Sequence, residues 1–520
     1  MMNFAGVLSW HAERHPDKEF VAVFREERYT FREFNQRVHA LAAAFTEMGI
    51  GRGDIVAILL YNCSEFLITA FASNRVGAAF LPLNYRLAPD EFSYILRDAG
   101  AKAIVTEKEF HNVIESIRND LPALQHYITL EKDDVPPGWR TFGELIQTYF
   151  GSEVPDVEVG MDDLHRLMYT SGTTARPKGV MLTYGNLYWK NIGHIVMFDI
   201  TSQDRTLVVG PLYHVGGLDL PATGVIYKGG SLVILRRFDP VRVLEAIQEE
   251  KVTNVWLAPA MVNMLLQEPK LGAYDLSSVR FIIDGGEKMP EPLIRKLQAA
   301  FPNAWFADAY GLTETVSGDT FLEKEKTIEK IGSVGKPCLH LQVKIVDDDG
   351  REVPRGQTGE IVLKGPKVFK GYWNNPEATA EALRDGWFHT GDIGRIDEDG
   401  YLYIVDRKKD MIISGGENIA SAEVERVLYE HPQVLEAAVV GMPHPKWGEV
   451  PKAYVVVKPG GTLTEQELIE WCQGKLAKFK IPKAVEFIDA LPRNPSGKVL
   501  KRDLRAIEMQ RYQKEKGGTP

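Results

Sequence analysis

Tyr169-Thr-Ser-Gly-Thr-Thr-Ala-Arg-Pro-Lys-Gly-Val180 is the stretch around which this 520-residue sequence is organised. After Thr170, the hydroxyls of Ser171, Thr173 and Thr174 and the bare backbone at Gly172 can turn donors toward one point, a cradle that suits a polyphosphate. Lys178 adds a cation, Gly172 and Gly179 permit backbone conformations that a β-carbon forbids, and Pro177 fixes φ at the exit. The nucleotide P-loop pattern, Gly-x-x-x-x-Gly-Lys-Ser/Thr, does not thread through it, because Pro177 stands five residues after Gly172. Taken alone, the stretch also reads as a polar surface turn.

Outward from it, strands and helices alternate. Residues 20–24, 54–60, 79–83 and 103–106 are apolar runs of strand length, and helices are predicted at 64–77 and 90–99. Thr30-Phe-Arg-Glu33 has capping-box spacing and opens a helix to about Met48, which Gly49 stops. Beyond the central stretch, 206–209 is a strand that delivers Pro211-Leu-Tyr-His-Val-Gly-Gly217 to a sheet edge. Asp239-Pro240 reads as an N-cap with proline at the first helical position, and strands follow at 252–258 and 279–283. Strands this apolar belong to parallel sheet covered by helices. In such sheets the ligand loops lie at carboxyl strand ends, which places 171–179, 284–287 and 308–314 there.

From about Gly332 the texture changes to short alternating strands at 342–347, 359–364 and 401–405, broken by Asp-Asp-Asp-Gly350 and Asp-Glu-Asp-Gly400. This predicts an antiparallel sheet or small barrel. The charge run Asp406-Arg-Lys-Lys-Asp410 precedes a compact region with helices at 421–430 and 465–476 and strands at 436–440 and 453–458. The predicted class is α/β: residues 1–406 as a large domain of two helix-covered sheets plus a small distorted barrel, 407–410 as a hinge, 411–505 as a small mobile α+β domain, and 506–520 as a frayed polar tail.

Apolar residues at 44 % and charged residues at 25 % are the balance of a soluble globular protein, and a net charge of −10 argues against a general nucleic-acid binder. Cys63, Cys338 and Cys472 have no metal-ligand spacing and fit a reducing compartment. No signal-peptide pattern opens the chain and no apolar run has the length to cross a bilayer, so a cytoplasmic protein is expected.

In order and spacing, Tyr169–Val180, Pro211-Leu-Tyr-His214, Asp308-Ala-Tyr-Gly-Leu-Thr-Glu314, Phe388-His-Thr-Gly-Asp-Ile-Gly394, 401–418 and Asn494-Pro-Ser-Gly-Lys-Val499 resemble the adenylate-forming superfamily of acyl-CoA synthetases, luciferases and peptide-synthetase adenylation domains. The resemblance implies that Thr170, Ser171, Gly172, Thr173, Thr174 and Lys178 hold the β- and γ-phosphates of ATP. Ala175 departs from the glycine usual there. Nucleotide contacts are implied for Gly285, Gly286 and Glu287 and for Asp308, Ala309, Tyr310 and Gly311, with Tyr310 against the adenine face and Asp308 on its amino group. Thr313 matches an α-phosphate contact and Glu314 a Mg²⁺ ligand. Asp392 and Arg407 match ribose contacts, Lys409 the hinge pivot, Gly415 and Gly416 the pantetheine tunnel, and Lys498 the mobile catalytic lysine.

The implied reaction joins a carboxylic acid to a thiol through an acyl-AMP, with ATP, Mg²⁺ and coenzyme A as cofactor and co-substrates. With 22 residues after Lys498, no fused carrier domain is expected and free CoA is the expected acceptor. His214 matches the gate near the substrate carboxylate. Leu212-Tyr-His-Val-Gly-Gly217 lacks the acid that adenylation domains use for an amino group, though Asp219 lies close by. Glycines at 216, 217, 285, 286, 311 and 318 leave room for an apolar tail or ring. A medium- or long-chain fatty acid is the leading substrate, and a benzoate- or cinnamate-type acid the alternative. A luciferase-like oxygenase and a non-catalytic nucleotide-binding protein are the further readings. Dimers occur in such families, and the sequence leaves the oligomeric state open.

Overall fold

The computed structural model describes residues 3–170, 176–285, 289, 291–414, 417–473, 475–493 and 499–517. The chain forms two compact units, Met1–Val343 with Leu363–Phe388, and Lys344–Val362 with His389–Pro520.

The first unit holds two sheets. In the eight-stranded sheet, Ala79–Pro82, Ile55–Leu59, Ala103–Thr106 and His126–Thr129 run parallel, and all but His126, the first residue of its strand, are buried. Helices cover both faces, so a strand of this sheet has no polar side to alternate with. The helix Phe31–Glu47, which precedes these strands in the chain, is opened by the expected capping box: Thr30 Oγ1 accepts from Glu33 N at 3.2 Å, and Glu33 Oε2 accepts from Thr30 N at 2.9 Å. Leu164–Thr170 joins this sheet parallel to Ala79–Pro82, and Lys178–Thr183 turns back antiparallel beside it. Gly371–Tyr372 then adds a short outer strand, with Tyr372 opposite Val180.

The nine-stranded sheet is built on Arg205–Val208, Ser231–Ile234, Asn254–Trp256, Phe281–Gly285 and Trp305–Tyr310, all parallel. The strand predicted at 252–258 is confined to Asn254–Trp256, because Pro259 opens the next helix at its N-terminus. The helix Pro240–Glu250 is capped as expected, Asp239 Oδ1 accepting from Arg242 N at 2.9 Å. Glu19–Val23 pairs with Ser231–Ile234 and so belongs to this second sheet, although it stands first in the chain.

In the second unit, the strand ending at Ile396 turns through Asp397–Gly400 and returns antiparallel as Leu402–Arg407. Asp397 Oδ1 organises that turn, accepting from Asp399 N at 3.0 Å and Tyr401 N at 2.8 Å. A second sheet centres on Gly448–Val457, which pairs antiparallel with Val434–His444 and parallel with Ala484–Phe487. The helix expected to reach Leu476 ends at Cys472.

The frayed tail expected from residue 506 is corrected by the structure: Lys501–Gly517 is one helix. Leu504 is buried among Ala438, Val440 and Tyr454, and Glu508 is buried where it accepts from Tyr454 Oη at 2.5 Å and Lys452 Nζ at 2.8 Å. Pairing makes the burial of such a polar helix tolerable. Among the described residues no helix is long and apolar enough to cross a membrane.

Candidate active site

The central stretch is the connection of a hairpin. Thr170 stands opposite Lys178 and Tyr169 opposite Gly179; Ser171, Gly172, Thr173, Thr174 and Ala175 lie outside the described residues. Gly179 is required by close approach, since a β-carbon there would stand 2.9 Å from the Tyr169 ring and 3.1 Å from Trp373 Cβ. Both rings are held to one residue: Tyr169 Oη donates to Asp98 Oδ2 at 2.6 Å and Trp373 Nε1 to the Asp98 carbonyl at 3.0 Å. Lys178 Nζ lies 5.0 Å from the centroid of Tyr372, whose hydroxyl donates to Glu314 Oε1 at 3.0 Å. Burial, reinforced by the Glu314 carboxylate, pushes the Tyr372 hydroxyl far above its ordinary pKa, so it is a donor at any working pH. The structure thus brings Lys178 and Glu314 to the two sides of one tyrosine that the motif reading passed over. Its only sequence signal is its place in Gly371-Tyr372-Trp373, a short run after a glycine.

The other nucleotide candidates follow from strand register. Phe281–Gly285 and Trp305–Tyr310 are parallel neighbours with Asp284 opposite Asp308 and Gly285 opposite Ala309, so their carboxyl ends finish side by side. Asp308, Ala309 and Tyr310 are buried; Gly286 and Glu287 lie outside the described residues. Thr313–Thr315 is a single tight turn after this strand end. Behind it, Thr315 Oγ1 donates to Asp319 Oδ2 at 2.5 Å, and Asp319 Oδ1 is paired with Lys367 Nζ at 2.9 Å. Lys367 also donates to the carbonyls of Ser317 and Gly318 at 2.9 and 2.6 Å. The turn bearing Thr313 and Glu314 therefore rests on a buried ion pair.

His214 caps the short helix Val215–Leu218, its Nδ1 accepting from Gly216 N at 3.0 Å, and its ring lies 5.9 Å from that of Trp256. Here the expected glycine space is corrected. A β-carbon at Gly216 would stand 2.7 Å from Trp256, at Gly217 2.3 Å from the Pro211 carbonyl, at Gly311 2.3 Å from Gly318 N and at Gly318 2.5 Å from the His194 ring. At Gly285 it would stand 3.0 Å from the Ala309 carbonyl. These glycines admit the protein's own rings and backbone. Asp219 is fully buried and bonded to Arg166 Nη2 at 2.6 Å. Beside it, Lys190 donates to the Asp219 carbonyl and, at 3.0 Å, to Thr223 Oγ1; burial pulls its pKa down to about 7.

In the second unit, Asp392 and Arg407 are cross-strand partners, with Arg407 Nε 3.4 Å from Asp392 Oδ1. Lys409 follows in the turn Lys408–Asp410; burial and the neighbouring Arg407 cation lower its pKa. Arg505, from the last helix, donates to the Lys409 carbonyl and lies 3.6 Å from Asp410 Oδ1. Gly415, Gly416 and Lys498 lie outside the described residues; Arg493 and Val499, which flank the last, form an antiparallel bridge.

The family model of the AMP-binding enzyme matches residues 8–373, and that of the AMP-binding enzyme C-terminal domain matches residues 423–498. The chain is 40 % identical over 513 residues to a feruloyl-CoA synthase of Amycolatopsis sp., covering 97 % of this chain and 99 % of that one. It is 39 % identical over 516 residues to a long-chain-fatty-acid–CoA ligase of Mycobacterium tuberculosis, covering 97 % and 98 %. Among solved structures, o-succinylbenzoate CoA synthetase of Bacillus subtilis with its acyl-adenylate OSB-AMP superposes with a TM-score of 0.86 at 35 % identity, covering 96 % of this chain and 97 % of that one. The chain belongs to the AMP-binding enzyme family of the adenylate-forming superfamily and is an ATP-dependent acid–CoA ligase.

Proposed function

We propose that the acid this ligase activates carries an aromatic ring, as benzoate- and cinnamate-type acids do. The observation that supports this is the aromatic surrounding of His214: the Trp256 indole packs against Gly210 and Gly216, its ring 5.9 Å from that of His214. An aromatic acid held by His214 would meet this indole by offset or edge contact. The similarity to a feruloyl-CoA synthase and an o-succinylbenzoate CoA synthetase points the same way. A medium- or long-chain fatty acid is the second reading, favoured by the 39 % identity to a long-chain-fatty-acid–CoA ligase.

In the first step a carboxylate oxygen attacks the α-phosphorus of ATP, and the bond to pyrophosphate breaks. We assign Thr170 and Lys178 to the β- and γ-phosphates, Thr313 to the α-phosphate, and Asp308, Tyr310 and the backbone at Gly285, Ala309 and Gly311 to adenine. Glu314 supplies the carboxylate oxygen for Mg²⁺; one carboxylate beside phosphate oxygens is a donor set this ion accepts, and bound there it neutralises phosphate charge. Asp392 and Arg407 take the ribose hydroxyls. Lys498 bridges carboxylate and α-phosphate in this step and moves away, by a pivot at Lys409, before the CoA thiol attacks the acyl carbonyl and AMP departs. His214 gates the acid.

Pyrophosphate release is to be measured across substituted benzoates, cinnamates and fatty acids of graded length, with CoA added afterwards. Aromatic acids are expected to give the highest kcat/KM. A fatty acid that exceeds all of them refutes the aromatic assignment.

A further inference from the structure

We infer that Tyr372 is a positioning residue of the adenylation step, its hydroxyl holding the Glu314 carboxylate while its ring face holds the Lys178 ammonium, so that the metal-binding and phosphate-binding groups are set as one unit. The inference rests on the roles assigned above to Glu314 and Lys178.

Three features carry it. First, Tyr372 is delivered by strand pairing: it stands opposite Val180, with Trp373 N donating to the Gly179 carbonyl at 2.7 Å, so its ring lies over the residue that begins that strand. Second, Glu314 is held twice by the same strip, its carbonyl accepting from Phe369 N at 2.7 Å and its carboxylate from Tyr372 Oη at 3.0 Å. Third, the strip itself is fixed. Lys367 is buried against Asp319, Tyr372 N donates to Thr379 Oγ1 at 2.9 Å, and Gly371 has φ +141°, where a β-carbon would strike Thr379 at 2.7 Å.

A ring between the two charges has a chemical consequence. A direct Lys178–Glu314 ion pair would consume ammonium donors and carboxylate oxygens that a phosphate and a cation need. A π face attracts an ammonium without taking its hydrogen-bond donors, and a phenolic O–H orients a carboxylate without cancelling the charge that a metal needs. Charges set before the ligand arrives need no rearrangement when phosphate charge shifts in the transition state.

The full-length enzyme and its Tyr372→Phe, Tyr372→Leu, Glu314→Gln and Lys178→Met variants provide the test. Mn²⁺ binding in the presence of ATP is read by electron paramagnetic resonance, and metal-free ATP binding by calorimetry. Tyr372→Phe keeps the ring and its packing, so it reports on the hydroxyl even where Tyr372→Leu fails to fold. It is expected to weaken Mn²⁺ binding about 10-fold, the effect of a lost hydrogen bond to a charged group, with metal-free ATP affinity unchanged. Tyr372→Leu should show the same metal loss and a further loss of about 3-fold in ATP affinity from the missing cation–π contact. Wild-type Mn²⁺ binding by Tyr372→Phe, alongside a loss in Glu314→Gln, overturns the role of Tyr372 alone. Wild-type Mn²⁺ binding by Glu314→Gln overturns the assignment of Glu314 beneath it. Equal loss of ATP, acid and metal binding in Tyr372→Phe marks a general structural effect and overturns the inference as well.

Discussion

Gly216→Ala tests the proposed role of Trp256 beside the acid directly. The new methyl would stand 2.7 Å from both Cε2 and Cζ2 of Trp256 and 3.0 Å from His214 Nδ1. Carbon atoms in ordinary contact are about 3.5–4.0 Å apart, so the indole or the methyl must yield by roughly 1 Å. The backbone beneath Trp256 has little freedom to yield, because Trp256 pairs with Ile283 in the middle of the nine-stranded sheet. The strain therefore goes into the Trp256 and His214 side chains. Overpacking of this kind costs about 1–3 kcal/mol, equivalent to a factor of roughly 5–150 if it falls on acid binding. Steady-state pyrophosphate release should show an acid KM raised at least about 5-fold, at the low end of that range, with ATP KM within about 2-fold of wild type. The same substitution in a Trp256→Leu background should cost much less, since the clash is removed. Unchanged acid KM in Gly216→Ala, or equal losses for acid and ATP, refutes the placement of Trp256 at the acid.

Three further predictions concern stability and the half-reactions. Lys190 has a folded pKa of about 7 against an ordinary value of 10.5; the unfolded chain binds the extra proton between these values, so this group makes stability rise with pH across that window. Thermal unfolding from pH 7 to 9 should show wild type gaining on Lys190→Met by about 1 kcal/mol per pH unit, and a gap independent of pH refutes it. Asp219→Asn leaves the buried Arg166 guanidinium without its counter-charge and should destabilise by about 3–5 kcal/mol in urea unfolding; a loss under about 1 kcal/mol would mean the pair is not held in solution. Lys498→Ala should nearly abolish pyrophosphate release yet spare thioester formation from supplied acyl-AMP and CoA, whereas equal loss of both half-reactions contradicts the two-pose assignment.

Local chemistry was legible without coordinates. Capping at Thr30–Glu33 and Asp239-Pro240 is decided by side chains three residues apart, and the apolar strands announced a covered parallel sheet. The motifs likewise placed Asp308–Gly311 at a carboxyl strand end and made Asp392 and Arg407 neighbours. The errors have one physical origin. A glycine reads as open space in a sequence, but whether Trp256 or the Pro211 carbonyl fills that space depends on packing. The polarity of residues 506–517 reads as fraying until Lys452 and Tyr454 are found paired with Glu508.

By itself the sequence determined the class of fold and the family, because these depend on periodicity, capping and motif order along the chain. Only the tertiary structure decided that the first long strand, Glu19–Val23, joins the second sheet, that Asp219 faces Arg166, and that Tyr372 stands between Lys178 and Glu314. Each of those is a pairing of segments distant in sequence, selected by sheet register and by the cost of leaving a charge buried without a partner.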